Sequence, residues 1–262
     1  MSLIRSVAKA ALPPPLTIRL RAVFKQHEPE RALLPALCDP ARMAVDIGAA
    51  LGAYTWPLSR LCVGCVAFEP NPDQARYLGR ALGGKARVEN LALSDHDGEA
   101  ELVIPLGRGS DQAGLATIAP GAWLDGKPVL RVKVAMRRLD GFAIAPVGFI
   151  KLDVEGHELA VLKGAPLLLA RDRPTLLVEL EERFGEGSIA RVRDFLMSVG
   201  YRGLYLDGKR LHSIAAFDPA LHQQMAHWGT PGAYINNFIF VAQDGFAEAR
   251  QRVARLGYAV EA

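Results

Sequence analysis

Short apolar runs alternate with stretches of helical periodicity from Met43 onward, and this alternation sets the class of fold. Strands that alternate with helices indicate βαβ units and a parallel sheet, so the sequence predicts an α/β fold. The predicted parallel strands cover residues 43–48, 65–70, 88–95, 148–153 and 174–181. Helices are predicted at residues 54–61, 73–82, 157–170 and 188–199.

Two antiparallel hairpins are expected to depart from this parallel pattern. A tight turn at residues 95–98 leads from the third strand toward an apolar run at 101–105, which predicts a hairpin that leaves the main sheet. Residues 106–130 are rich in glycine and polar residues, and we expect a loop over the functional site there. Residues 201–206 and 236–242 are predicted to pair as a closing hairpin.

The regions on either side of this pattern differ in composition. Residues 1–42 contain seven Lys or Arg against three acids, and they are predicted to form a basic helical extension. We expect the main domain to cover residues 43–242 and a helical tail to cover 243–262.

Bulk composition excludes several classes of protein. The 262 residues are 50% hydrophobic, so a substantial core is available, and the net charge of +3 is too small to argue for a nucleic-acid partner. No apolar run approaches the roughly 18 residues that a membrane span requires. Three cysteines indicate no disulfide framework, and Cys62 and Cys65 lead into a predicted buried strand. We expect a cytoplasmic protein without a membrane span; the sequence does not predict its oligomeric state.

The segment VDIGAALGAYT (45–55) predicts a ligand-binding turn. Asp46 ends the first strand, and Gly48 and Gly52 bracket a turn that opens a helix. Glycine accepts positive φ and lets a ligand approach the backbone closely. The spacing is not the G-x-G-x-x-G of dinucleotide-binding folds. A carboxylate at the mouth of the turn suits a ligand with an ammonium group.

Glu69 ends the second strand, at the place where an acid about 20 residues further on binds ribose hydroxyls in nucleotide-binding folds. Residues 90–95, at the end of the third strand, are expected to lie beside the base. A nucleoside with a cationic amino-acid tail fits this arrangement better than NAD does. The sequence therefore predicts S-adenosylmethionine as the cofactor.

Six segments in order resemble the FkbM-type family of S-adenosylmethionine-dependent methyltransferases. They are VDIGAALGAYT, AFEPNP, ENLALSDHDGEAEL, IKLDVEGHELAVLKGA, RPTLLVELEERF and NNFIFV, within residues 43–241. The resemblance implies a class I methyltransferase (Rossmann-like) fold. That fold has a seven-stranded, mostly parallel sheet with helices on both faces and an antiparallel last strand; here a β-hairpin insertion is expected after strand three. It also implies O-methyl transfer to a hydroxyl of a sugar, glycolipid or secondary metabolite.

The expected cofactor-binding residues lie in the first three of these segments. They are Asp46, Gly48, Ala49, Gly52, Thr55, Glu69, Pro70, Asn71 and Ala92. The turn departs from the family pattern at Ala50, where many relatives have Asn. This change removes a side-chain hydrogen bond to the cofactor but leaves the backbone contacts in place.

The segment IKLDVEGHEL (150–159) predicts the catalytic groups. A hydroxyl is a poor nucleophile and benefits from a base that takes its proton, and Asp153, Glu155 and His157 are the candidates. Glu158 is expected to support the start of the following helix. Lys151 shares a strand face with Asp153 and is expected to neutralise it or Glu179.

Glu179 and Glu181 end the fifth parallel strand and are predicted to bind the hydroxyls of the acceptor. Together with Asp153 they could instead hold a divalent cation that acidifies the acceptor. The sequence has no diagnostic metal-binding spacing, so no metal ligand is assigned.

Two other functions stay open at the sequence level. One is an NAD-type oxidoreductase on the same topology, which the missing G-x-G-x-x-G disfavours. The other is a non-catalytic module that binds a nucleoside or a glycan. The preferred function is methyl transfer to a small-molecule, glycan or glycolipid acceptor, with no nucleic-acid partner.

Overall fold

The computed structural model describes residues 14–18, 28–106, 115–119, 121, 124–144, 146–228, 230 and 232–261. Most of the basic extension predicted for residues 1–42, and much of the loop predicted for 106–130, therefore lie outside the described residues. Residues 14–18 are helical.

The described residues form two sheets with helices between the strands. The strands are β1 (Met43–Ile47), β2 (Gly64–Phe68), β3 (Arg87–Glu89), β4 (Ala92–Leu93), β5 (Gly98–Pro105), β6 (Val129–Arg137), β7 (Val147–Leu152), β8 (Thr175–Glu179), β9 (Tyr201–Asp207), β10 (Arg210–Ser213), β11 (Asn237–Ala242) and β12 (Ala259–Glu261). The α-helices are α1 (Leu34–Leu37), α2 (Thr55–Leu61), α3 (Pro72–Leu82), α4 (Glu158–Lys163), α5 (Pro166–Asp172), α6 (Ser188–Ser198), α7 (Pro219–His222) and α8 (Phe246–Arg255).

The larger sheet is parallel at its centre and antiparallel at one side. Its order among the described strands is β12-β10-β9-β11-β8-β7-β1-β2-β3. Neighbours from β3 to β8 run parallel, whereas β11 is antiparallel to both β8 and β9. The α/β class and the predicted pairing of residues 201–206 with 236–242 are confirmed.

The described part of this sheet has nine strands and not the predicted seven, because β10 and β12 extend it. β10 follows β9 through a turn at Gly208, whose φ of +56° glycine adopts without strain. β12 pairs in parallel with β10, so the region predicted as a helical tail contains helix α8 and then a strand.

The predicted hairpin after strand three is also wrong in its partners. β5 pairs antiparallel with β6 along its whole length, and β4 pairs in parallel with β6. The predicted strand 88–95 is split, because the Asn90 side chain donates hydrogen bonds to the backbone oxygens of Glu69 and Pro70. β3 therefore stays in the main sheet, while β4 joins the smaller sheet β4-β6-β5.

Helices cover both faces of the main sheet. Adjacent residues of a strand point to opposite faces of the sheet. Ala44 and Val45 of β1, for example, belong to two different buried clusters. Helices α4, α5 and α6 contribute to the cluster that contains Val45, and α1, α2 and α8 to the other. Since the central strands are buried on both faces, a ligand reaches this sheet at the strand ends. None of the described helices has the length and apolar character of a membrane span.

Candidate active site

The turn after β1 lies directly against the segment that follows β7. Gly48 has a φ of +78°, and a Cβ there would lie 1.7 Å from the backbone oxygen of Asp153. The Asp153 amide in turn donates to Ile47 O at 3.0 Å. Only glycine permits this approach, which brings the predicted cofactor turn and the predicted catalytic segment together.

Asp46 lies beneath this turn. It is only 1% exposed, and its Oδ2 accepts a hydrogen bond of 2.6 Å from Thr55 Oγ1 at the start of α2. Burial raises the pKa of Asp46 to about 6, although Thr55 and the charge of Lys151 act in the opposite direction. The hydrogen bond between Asp46 and Thr55 thus stabilises the turn, and neither residue lines the cleft described next.

Glu69 ties the turn to the end of β2. Its Oε2 accepts from Ala50 N at 2.7 Å, and its Oε1 accepts from Asn71 N at 2.8 Å. Burial raises the pKa of Glu69 to about 7. The Asn71 side chain caps helix α3 by accepting from Asp73 N at 3.1 Å. The carboxyl of Glu69 is therefore fixed by two amides at the wall of the cleft.

A cleft of about 510 Å³, including its open mouth, lies at the carboxyl ends of β1, β2 and β7. Six residues predicted to bind cofactor or to catalyse line it: Gly48, Glu69, Pro70, Ala92, Asp153 and His157. The predicted residues Asp46, Ala49, Gly52, Thr55, Asn71, Glu155, Glu179 and Glu181 are not among its lining residues.

The smaller sheet and its loop supply the opposite wall of the cleft. Leu102 of β5 and residues 116–118 line it. Thr117 Oγ1 donates to the backbone oxygen of Glu155 at 2.8 Å, and its own backbone exchanges two hydrogen bonds with Val103. Sequence reasoning placed a loop over the site but did not identify Thr117, because an isolated threonine in a polar loop has no distinctive pattern.

His157 precedes helix α4 and reaches the end of β4. Its Nε2 lies 2.9 Å from Ser94 Oγ, and Ser94 Oγ donates to Asp95 Oδ1 at 3.2 Å. With the Ser94 proton directed at Asp95, Nε2 carries the imidazole proton and Nδ1 is free to accept one. Burial lowers the pKa of His157, which favours this neutral form. Ser94 was not predicted as a site residue.

Glu155 occupies a strained position beside the cleft. Its φ is +56°, which is unusual for a residue other than glycine, and it is only 7% exposed. Its Oε2 has no hydrogen-bond partner among the described residues, and Arg183 Nη2 lies 3.8 Å away. Burial and the nearby Asp153 raise the pKa of Glu155 well above its usual range. The neutral acid is therefore favoured, and this form is a poor base.

The two acids predicted to bind the acceptor already have protein partners. Arg183 Nε lies 2.6 Å from Glu181 Oε2, and Tyr234 OH donates to the same oxygen at 2.6 Å. Asn236 Nδ2 donates to Glu179 Oε1 at 2.6 Å. Of this pair, Glu179 keeps an oxygen directed at Lys151, at 3.6 Å.

No group of three or more His, Cys, Asp or Glu suited to a metal ion occurs within the described ranges. Cys38, Cys62 and Cys65 are free thiols, with Cys65 buried in β2.

A family model described as "Methyltransferase FkbM domain" matches residues 46–202, which is more than half of the chain. The chain belongs to the FkbM methyltransferase family. The resemblance inferred from the sequence motifs is confirmed, and with it a Rossmann-like fold. Membership of this family implies S-adenosylmethionine as the methyl donor.

Several solved structures resemble this FkbM family member at low identity. The FkbM methyltransferase from Methylobacillus flagellatus KT is 16% identical with a TM-score of 0.47, and the match covers 77% of this chain and 44% of that one. The O-methyltransferase from Bacillus cereus in complex with SAH is 14% identical with a TM-score of 0.45, covering 92% and 97%. An rRNA methylase from Streptococcus thermophilus is 10% identical with a TM-score of 0.44, covering 81% and 93%.

No curated protein matches the chain. This chain spans less than half the length of the Methylobacillus protein. The family assignment therefore rests on the family model.

The residues of the cleft fit the donor that the family implies. Gly48 and the carboxyl of Glu69 both lie in the cleft wall, at the carboxyl ends of β1 and β2. A carboxylate at the end of the second strand suits ribose hydroxyls, and the apolar Phe68, Leu91 and Leu93 provide surfaces for a base.

Proposed function

We propose that this FkbM family member is an O-methyltransferase that methylates a hydroxyl of a sugar, glycolipid or secondary-metabolite acceptor. One observation carries the proposal: Asp153 and His157 line the same cleft as Gly48 and Glu69. Two proton acceptors thus lie beside the place where the donor is expected to bind.

Gly48, Glu69, Pro70 and Ala92 would hold the donor, which supplies an activated methyl group when bound. The protein's remaining task is to hold the acceptor oxygen close and in line, and to take its proton. His157 Nδ1 can accept that proton because the imidazole is neutral and its Nε2 is fixed by Ser94. The partly exposed carboxyl of Asp153 is the second acceptor available in the cleft.

The donor site is tested by calorimetry with S-adenosylhomocysteine. We expect the wild type to bind it and Glu69→Ala to bind at least about tenfold more weakly, since the charged hydrogen bonds to ribose are lost. Glu101→Ala is the matched control, because Glu101 is an exposed acid of β5 paired with Arg131. No binding by the wild type, or equal binding by both variants, would contradict the proposed cofactor site.

The catalytic pair is tested with labelled S-adenosylmethionine on glycan and lipid extracts, with and without a chelator. Asp153→Asn and His157→Ala should retain affinity for S-adenosylhomocysteine and lose about 10²–10⁴-fold in turnover, the range for a missing general base. His96→Ala is the control variant, because it removes a different histidine, which is exposed and lies beside Asp95. Full activity in both variants would assign the pair a structural role.

A further inference from the structure

Lys151 is a cation enclosed in the centre of the main sheet. It is 1% exposed, and on β7 it lies in register with Asp46 of β1 and Leu177 of β8. Burying an ammonium group is costly unless other groups compensate it, so this position calls for a function. Lys151 does not line the cleft and cannot reach the acceptor directly.

The ammonium lies between the carboxyl of Asp153, a proton acceptor in the proposed reaction, and the carboxyl of Glu179. Lys151 Nζ is 3.7 Å from Asp153 Oδ2 and 3.6 Å from Glu179 Oε2. It also donates to Asn237 Oδ1 at 3.1 Å and lies 5.0 Å from the centre of the Tyr54 ring. The other charged groups that act on it are Asp46 of β1 and, before α1, Glu28 and Glu30.

Two asparagines connect Lys151 to Glu179 through hydrogen bonds. Asn237 Nδ2 donates to Asn236 Oδ1 at 3.2 Å, and Asn236 Nδ2 donates to Glu179 Oε1. Glu179 is thus held at one oxygen by an amide and faces the ammonium with the other. Asp153 differs, because its side chain is 30% exposed toward the cleft and Lys151 is its ion-pair partner among the described residues.

We propose that Lys151 is a positioning residue, whose ammonium orients the Asp153 carboxyl into the cleft. The inference rests on the proposed function. Opposite charges attract more strongly where water is excluded, so a buried ammonium restricts the orientation of a carboxyl beside it. Burial lowers the pKa of Lys151, but Asp153 and Glu179 outweigh it and raise that pKa, so the cation persists.

The test compares Lys151→Met with the wild type, provided that the variant folds as the wild type does. Methyl transfer is measured with labelled S-adenosylmethionine on the extract in which the wild type is active. Lys163→Met is the matched control, because Lys163 is an exposed lysine of α4. We expect Lys151→Met to bind S-adenosylhomocysteine within about threefold of the wild type, but to lose at least about 30-fold in kcat at pH 7.

A purely structural role for Lys151 predicts another pattern. An unchanged kcat, or a loss of S-adenosylhomocysteine affinity equal to the loss of kcat, overturns the inference. If Lys151→Met does not fold, the double variant Lys151→Met/Glu179→Gln removes the buried ammonium together with the carboxyl that it faces at 3.6 Å. It should fold and keep the loss of kcat. Recovery of the wild-type kcat would show that Lys151 acts only on Glu179, and would overturn the inference.

Failure of the Lys151 inference can be distinguished from failure of the proposed function. A wild type that fails to bind S-adenosylhomocysteine overturns the proposed function whatever the variants do. If the wild type binds it but methylates no extract, a crystal structure of Lys151→Met, or of the double variant, with S-adenosylhomocysteine decides. The inference requires the Asp153 carboxylate to turn away from the cleft, and an unmoved Asp153 overturns it.

Discussion

Ala50 holds a left-handed backbone conformation, with φ +46°, in the turn between Gly48 and Gly52. The β-carbon of an L-residue is crowded there, at a cost of roughly 1–2 kcal/mol. Its amide nevertheless donates to Glu69 Oε2, so this conformation helps to hold the Glu69 carboxyl at the wall of the cleft. The Asn that the family resemblance leads us to expect tolerates this region better than Ala does.

Ala50→Gly should therefore stabilise the protein by about 1 kcal/mol, which raises Tm by roughly 2–4 °C in a chain of this size. Ala50→Asn should shift Tm in the same direction. Ala53→Gly is the control, since Ala53 lies in the same turn without a positive φ and its change to Gly should lower Tm. Differential scanning calorimetry measures all three, and an equal effect of both glycine variants would contradict the strain argument.

Among single residues, the sequence identified those whose type is required by the backbone conformation or by the charge of a ligand. Gly48 and Glu69 were predictable because a close turn needs glycine and a strand-end acid suits ribose. Ser94, Thr117 and Tyr234 were not, because each of their hydroxyls contacts a site residue that is distant in sequence. Tyr234 reaches Glu181 across the chain, and no local pattern encodes such a contact.

The segment 115–119 joins two elements that do not share a sheet. Thr117 pairs with Val103 of β5 through its backbone, and with the Glu155 backbone through its hydroxyl. The same hydroxyl accepts from Ala119 N at 2.9 Å. This one side chain therefore fixes the loop wall of the cleft to the segment that follows β7.

Thr117→Val should release that wall, because a methyl group replaces the hydroxyl and leaves Glu155 O without its donor. A lost buried hydrogen bond costs about 1–3 kcal/mol. Hydrogen–deuterium exchange should increase at residues 115–119 and at Val103, and less so in β1. Thr117→Ser keeps the hydroxyl and should exchange like the wild type. Unchanged protection in Thr117→Val would show that the loop is held by other contacts.

Elements were predictable where periodicity was long and uninterrupted. The sequence placed α3 and α6 within a residue or two of their observed bounds. It merged β3 with β4 because the apolar pattern continues through Asn90, whose side chain ends the strand by donating a hydrogen bond to the backbone oxygen of Glu69, after β2. The predicted helix 157–170 breaks into α4 and α5 at Gly164, where a Cβ would lie 2.0 Å from Ser94 O. Both breaks depend on tertiary contacts.

Buried acids give the whole molecule a defined pH dependence. Burial raises the pKa of Glu30, Glu69 and Glu158 to about 7 and that of Asp46 to about 6. The folded state therefore binds protons more tightly than the unfolded state, in which these groups titrate near 4. Their contribution to stability is complete below about pH 4 and is lost as the pH rises through 6–7.

The free energy of unfolding without ligand should accordingly fall, on the order of a few kcal/mol, between pH 5 and pH 8. His157 acts in the opposite sense, because burial lowers its pKa, but its effect is confined to pH values below about 6.5. Urea unfolding at several pH values measures the slope. Glu158→Gln keeps an acceptor for Gly156 N and should flatten the slope. A stability that rises steadily across this range would contradict the raised pKa values.

Among the strands that the structure describes, the outermost of the main sheet are β3 and β12, each only three residues long. An ion pair joins Arg87 and Glu89 on β3, and Glu261 of β12 pairs with Arg210 and lies 3.3 Å from His212. Short strands rich in charge are poor templates for a strand from another molecule. The arrangement thus disfavours intermolecular β-pairing, so a nine-stranded sheet can remain dispersed at the concentrations needed for binding and activity measurements.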